Sequence, residues 1–178
     1  MDFTEQPLSS ERVFSGGFLQ VNRDLVRLPN GDRGSREYIR HPGAAMIIPR
    51  FDNGDLLLVR QFRYAPRLEF LEFPAGKIDP GESPEITAQR ELLEETGCSA
   101  ERWQHLGQCH PCIGYADEVI QIYLAEGLTE HGQPQLDEDE FVEPLRMPLS
   151  ALESLVDSGE ITDGKTLAGL YYLSRLKR

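Results

Sequence analysis

Apolar and polar positions alternate along the first 40 residues: Phe18, Leu19 and Val21 are followed by Leu25, Val26 and Leu28, with breaks at Gly16-Gly17, Asn22-Arg23-Asp24 and Pro29-Asn30-Gly31-Asp32. A period of two between turn residues predicts two or three antiparallel strands. Two apolar runs, Ala44–Pro49 and Leu56–Phe62, flank Asp52-Asn53-Gly54-Asp55, and the Asn-Gly step predicts a hairpin between them. Further strands are expected at 68–73, 103–106, 119–125 and 141–147. Three segments carry helical spacing with start and stop chemistry. Ser83 can cap the first, Pro84 suits its first turn, Ile86 and Leu93 are expected on its buried side, and Gly97 ends it. Ser150-Ala151-Leu152-Glu153 has the form of a capping box opening a second helix, which stops near Gly159. The third runs from about Lys165 onward, with Leu167, Leu170, Tyr171, Ser174 and Leu176 spaced as one packed stripe. A mixed sheet with helices on its faces, an α+β fold with no internal repeat, is the expected architecture.

The chain has 178 residues, 39% hydrophobic and 27% charged, which is the composition of an ordinary soluble globular domain. Thirty acidic against 18 basic residues give a net charge of −12, and that field repels polyphosphate backbones. Nucleic acid is therefore not an expected partner. No apolar run approaches the roughly 18 residues of a membrane span, so no membrane partner is expected either. The first six residues carry acid and no apolar segment, and no targeting peptide is read there, which makes a cytoplasmic chain the expectation. Three cysteines cannot all pair within the chain, which suits a reducing compartment. Cys109-His110-Pro111-Cys112 has the spacing of zinc and redox pairs, but a second ligand pair is missing from the sequence. Small, half-buried side chains are the better reading.

The informative chemistry lies on the first helix. At 100° per residue, Glu91, Glu94 and Glu95 fall within an arc of about 100°. Glu91 and Glu95 form an i,i+4 like-charge pair near a helix C-terminus, where negative charge is unfavourable, so something should compensate them. Arg90 can take one carboxylate, and a hard divalent cation can take several. Clustered glutamates taken alone more often form a solvated acidic face. Their surroundings decide between these: Gly76, Glu82 after five residues, Arg90-Glu91-Leu92 after seven more, Glu94-Glu95 after one, then Gly97 and Cys98.

This pattern resembles the Nudix box at every defined position. The resemblance implies a Nudix fold, an α/β/α sandwich with a mixed central sheet, and hydrolysis of a nucleoside diphosphate linked to a further group. Such a reaction needs a metal to neutralise phosphate charge and to acidify the attacking water. By resemblance Glu91 and Glu95 are the principal Mg²⁺ ligands (Mn²⁺ being the other candidate), Glu94 supports them as a catalytic residue and the carbonyl of Ala75 completes the shell. Arg90 and Glu82 are orienting residues, and Gly76 and Gly97 serve backbone geometry.

The flanks extend the likeness from about Val13 to Leu173. Arg36-Glu37, His41-Pro42-Gly43-Ala44, Gln61-Phe62-Arg63-Tyr64, Glu72-Phe73-Pro74-Ala75 and Gly164-Lys165-Thr166 resemble the ADP-ribose pyrophosphatase branch, as does Pro111 followed by Gly114-Tyr115-Ala116-Asp117-Glu118. A GDP-mannose-type branch shares several of these. The branch implies an N-terminal strand region, 1–40, exchanged between the subunits of a homodimer, and a Nudix domain over 41–178. It implies a small nucleotide-sugar substrate met by Arg36 at the adenine, Arg63 at the diphosphate and Glu72 nearby. In Asp137-Glu138-Asp139-Glu140 the resemblance makes Glu138 the first choice of general base, with Asp139 and Glu140 as candidate metal ligands. The activity so implied is Mg²⁺-dependent cleavage of ADP-ribose to AMP and ribose 5-phosphate. The alternatives are another nucleotide sugar (GDP-mannose, ADP-glucose) and a non-catalytic nucleotide sensor that regulates a partner.

Overall fold

The structure is a computed structural model describing residues 2–136 and 140–176, arranged in two compact units. The N-terminal unit runs to Pro42 and includes His110–Val119. Its sheet comprises β1 (Gln6–Ser15), β2 (Gln20–Arg27) and β3 (Arg33–Arg40), antiparallel in that order. The β2–β3 turn closes through Leu28 N–H donating to Asp32 O at 2.8 Å, with Gly31 at φ 92°. The returning segment 110–119 is tied to the end of β3: Ile39 N–H donates to Tyr115 O at 2.8 Å, and His41 N–H donates to Asp117 Oδ1 at 2.7 Å. Val26 is the one buried residue among those described in this unit.

The second unit carries β4 (Ala44–Arg50), β5 (Leu56–Arg63), β6 (Leu68–Glu72), β7 (Ala75–Lys77), α1 (Pro84–Thr96), β8 (Cys98–Cys109), β9 (Ile120–Glu130), β10 (Val142–Met147), α2 (Leu149–Asp157) and α3 (Gly164–Arg175). Its sheet order is β10-β5-β4-β9-β8, with β6 on β5 and β7 on β4. Only the central β4–β9 pair is parallel, so the sheet is mixed. Ala45 to Ile48 are fully buried, because both faces of β4 are covered; this is why the strand reads as a continuous apolar run. Met46 and Ile48 join Leu56, Leu58, Phe73, Ile122, Leu152 and Leu173 in a core closed by α2 and α3. Ala45 and Ile47 join Leu57, Tyr123, Ala88 and Leu92 in a second core closed by α1. The result is the expected α/β/α sandwich, and the Asn53-Gly54 hairpin is present, with Gly54 at φ 90°.

Three local expectations are corrected. Helix α1 buries Thr87, Ala88, Leu92, Glu95 and Thr96, whereas Ile86 is 53% exposed and Leu93 only half-buried. The small Ala88 with Leu92 lets the helix sit close on β4, and that contact overrides the apolar pair. Helix α2 starts at Leu149 with Pro148 at its N-cap and no side-chain cap, so Ser150 lies inside the first turn. Helix α3 buries Thr166, Gly169 and Leu173, while Leu167 and Tyr171 of the anticipated stripe are exposed. Gly169 permits this packing: a Cβ there would meet Met46 Cε at 2.6 Å. The short strand β7 has no counterpart in the expected elements.

Candidate active site

Helix α1 is set by its ends. Ser83 Oγ accepts from Ile86 N–H at 3.3 Å, Pro84 occupies the first turn, and Gly97 at φ 68° donates its N–H to Leu93 O at 2.8 Å. With Ala88 and Leu92 seated on the sheet, the helix turns Glu91 and Glu95 toward β7. Glu95 is 5% exposed, and its Oε2 accepts from Ala75 N–H at 3.1 Å. Burial, with Glu91 beside it, pushes the Glu95 carboxyl up to about 8, against the pull of the Ala75 N–H and Arg63. The Glu91 carboxyl is raised by burial and lowered by Arg90. Gly76 is what admits Glu91, because a Cβ there would overlap the Glu91 carboxylate.

Arg90 is the hub. Its Nε and Nη2 each donate at 3.1 Å to Glu82, and Nη1 donates to Glu91 at 2.8 Å and Glu94 at 2.9 Å. Nη2 also donates to Lys77 O at 3.2 Å, fastening the helix to the end of β7. The Arg90 guanidinium and Thr87 hydroxyl hold Glu82 at about 2, well below the ordinary carboxylate range. Arg90 thus links Glu82, Glu91 and Glu94 in one bonded cluster. Glu94, bonded to Arg90, is the most open of the three helix carboxylates.

Among the described residues no three His, Cys, Asp or Glu side chains stand converged on one ion, since Arg90 draws Glu91 and Glu94 to itself. The chemistry of the donors nevertheless suits a hard divalent cation. Two adjacent, desolvated carboxylates sit over a backbone strand whose glycine leaves them room, and every donor is oxygen. Glu140, exposed, adds its negative field to both Glu91 and Glu95. Asp137, Glu138 and Asp139 lie outside the described residues.

Arg63, at the end of β5, donates from Nε to Glu72 Oε1 at 2.8 Å. Glu72 is 2% exposed, and its other oxygen accepts from Lys165 Nζ. Lys165 also reaches Asp163 Oδ2 at 3.0 Å. Burial and the nearby Arg63 draw the Lys165 ammonium down to about 7. Lys165, which the flank motif Gly164-Lys165-Thr166 contains without a role, and Asp163, which no motif singled out, are further functional candidates. The sequence signal was Asp163 three residues before Thr166, an N-cap pairing that anchors this turn. Arg36 belongs to the N-terminal unit, where Glu5 takes its Nε at 2.9 Å and a terminal nitrogen as well.

A model of the NUDIX domain matches residues 40–170, and one described as the nucleoside diphosphate sugar hydrolase N-terminal domain matches 5–39. The chain is 39% identical over 170 residues to an ADP-ribose pyrophosphatase of Bacillus subtilis (strain 168), covering 95% of this chain and 92% of the relative. It is 38% identical over 172 residues to a methanol dehydrogenase activator of Bacillus methanolicus, covering 96% and 93%. Among solved structures, an ADP compounds hydrolase superposes with a TM-score of 0.86 at 26% identity, covering 99% of this chain and 96% of the other.

Proposed function

This chain belongs to the Nudix family, and we propose that it hydrolyses the diphosphate of ADP-ribose to AMP and ribose 5-phosphate with Mg²⁺ as cofactor. The observation that carries this reading is the buried Glu95 carboxylate, set beside Glu91 over the Gly76 backbone and held to Ala75 N–H. Glu91, Glu95 and the Ala75 carbonyl would hold the cation, which when bound supplies charge neutralisation at the phosphate oxygens and an acidified water. Arg90 and Glu82 keep the carboxylates on station. Arg63 offers its terminal N–H groups to the diphosphate, a partner that guanidinium geometry suits. The acidic segment 137–140 supplies the general base, with Glu138 first and Asp139 and Glu140 as candidate metal ligands, and the field of Glu140 at Glu91 and Glu95 supports its own place in that set. Arg36 serves the adenine.

A homodimer built through the N-terminal strands fits the same reading. All ten residues of β1 are exposed, including Leu8, Val13 and Phe14, a surface that a second copy would cover. No helix of the described residues is long and apolar enough to cross a membrane, and we place the reaction in the cytoplasm. The test is phosphate release, after coupling to alkaline phosphatase, from ADP-ribose, ADP-glucose, GDP-mannose, NADH and diadenosine polyphosphates with Mg²⁺ and with EDTA. ADP-ribose should lead in kcat/KM by about tenfold or more, a difference of about 1.4 kcal/mol in transition-state preference. A different nucleotide sugar in the lead would overturn the substrate and leave the hydrolysis standing. A second reading, activation of a dehydrogenase, is favoured by the identity to the Bacillus methanolicus protein. A methanol dehydrogenase whose rate does not change on adding this protein would exclude it.

A further inference from the structure

Arg63 is held in an unusual way. Its side chain is 44% exposed, yet its one side-chain bond among the described residues is from Nε to a carboxylate that is itself 2% exposed. A lone Glu72 beneath Arg63 would engage it fork to fork and cancel its charge. The second oxygen of Glu72 is instead occupied by Lys165, whose side chain is 11% exposed. Lys165 is in turn held by Asp163, whose Oδ2 accepts from Thr166 N–H at 2.9 Å and Thr166 Oγ at 2.7 Å. Thr166 Oγ accepts from Phe73 N–H at 3.0 Å, which fastens the first turn of α3 to the residue following Glu72. The two ends of this chain of bonds are thus fixed to the same short stretch of backbone.

We propose that Lys165, acting through Glu72, is a positioning residue that keeps the Arg63 guanidinium oriented and electrically available to the substrate diphosphate. This rests on the hydrolytic reading above, in which Arg63 meets the diphosphate. With Lys165 protonated, the two acids and two bases of the cluster sum to zero. Because Lys165 compensates Glu72, Arg63 keeps its terminal N–H groups and most of its charge for a ligand. Without Lys165, Glu72 would turn its free oxygen to Arg63 and withdraw it.

The experiment compares the wild type with Lys165→Met and with the double variant Glu72→Gln/Lys165→Met. KM and kcat are measured on ADP-ribose with Mg²⁺, and ADP affinity is measured by calorimetry. Lys165→Met should raise KM and the ADP Kd about tenfold, with kcat within threefold. The double variant should lower both at least threefold from the values of the single variant, because the amide introduced by Glu72→Gln still accepts from Arg63 Nε and carries no charge to cancel it. A merely structural network makes the opposite forecast, with the double variant no better than the single one. That result, or a Lys165→Met variant with wild-type KM and ADP affinity, overturns the proposal. Should Lys165→Met not fold, Lys165→Arg must stay within threefold of wild type while Lys165→Gln must not; any other pattern overturns it. ADP reads the diphosphate site without turnover. A wild type that binds ADP but does not hydrolyse ADP-ribose sinks the substrate alone, and one that binds no ADP sinks both.

Discussion

Replacing Glu95 with glutamine separates the two demands on the site, since folding resists a buried charge there and cation binding requires one. In the metal-free chain the Glu95 proton leaves near pH 8 instead of 4.5. The folded state therefore holds that proton more tightly than the unfolded chain, and stability is lost as pH rises from about 4.5 to about 8. At about 1.36 kcal/mol per pH unit the accumulated cost by pH 9 has an upper bound of about 5 kcal/mol. The amide introduced by Glu95→Gln has no charge to bury and keeps an acceptor for Ala75 N–H. Urea denaturation in EDTA should find Glu95→Gln equal to wild type near pH 5 and more stable by several kcal/mol near pH 9. With Mg²⁺ at a hundred times its Kd the wild type regains about 2.7 kcal/mol, and the variant should gain much less. Its kcat should fall at least about a hundredfold. A stability difference that does not grow with pH would refute the burial reasoning, and a wild-type kcat would refute the ligand assignment.

Two further outcomes follow from contacts on either side of Glu95. Gly76→Ala would drive its Cβ into the Glu91 carboxylate, the free end of a flexible side chain, so the protein should fold while kcat drops about a hundredfold; a variant within threefold of wild-type kcat shows that Glu91 need not lie over that backbone. Thr166→Val removes a fully buried hydroxyl and leaves Phe73 N–H without its partner, which should cost about 1–3 kcal/mol in urea denaturation; an unchanged midpoint means that Phe73 N–H finds another acceptor.

The start and end of helix α1 and the spacing of the glutamates it carries were legible along the chain. Both follow from interactions spanning a few residues: Ser83 reaches Ile86, Gly97 reaches Leu93, and the spacing of Glu91, Glu94 and Glu95 follows from helix geometry alone. The Asn53-Gly54 hairpin and the two apolar strands it joins were legible for the same reason, since turn chemistry and an unbroken apolar run are local signals. Which side of α1 is buried was not. Ile86 and Leu93 outrank Ala88 and Thr87 in hydrophobicity, but the sheet accepts the smaller side chains, and that closeness is what desolvates Glu95. Nor could spacing show that Lys165, about a hundred residues beyond Arg63, would share a carboxylate with it. The segment 110–119 is held to the end of β3 by bonds that reach across 76 positions of the chain, which no local signal announces. Sequence alone determined the chemistry and the local frame, because capping, turns and helical spacing act at short range. Burial, and with it the charge state of Glu95 and the partners of Arg63, was decided only by the tertiary structure, because it depends on surfaces that distant parts of the chain bring together.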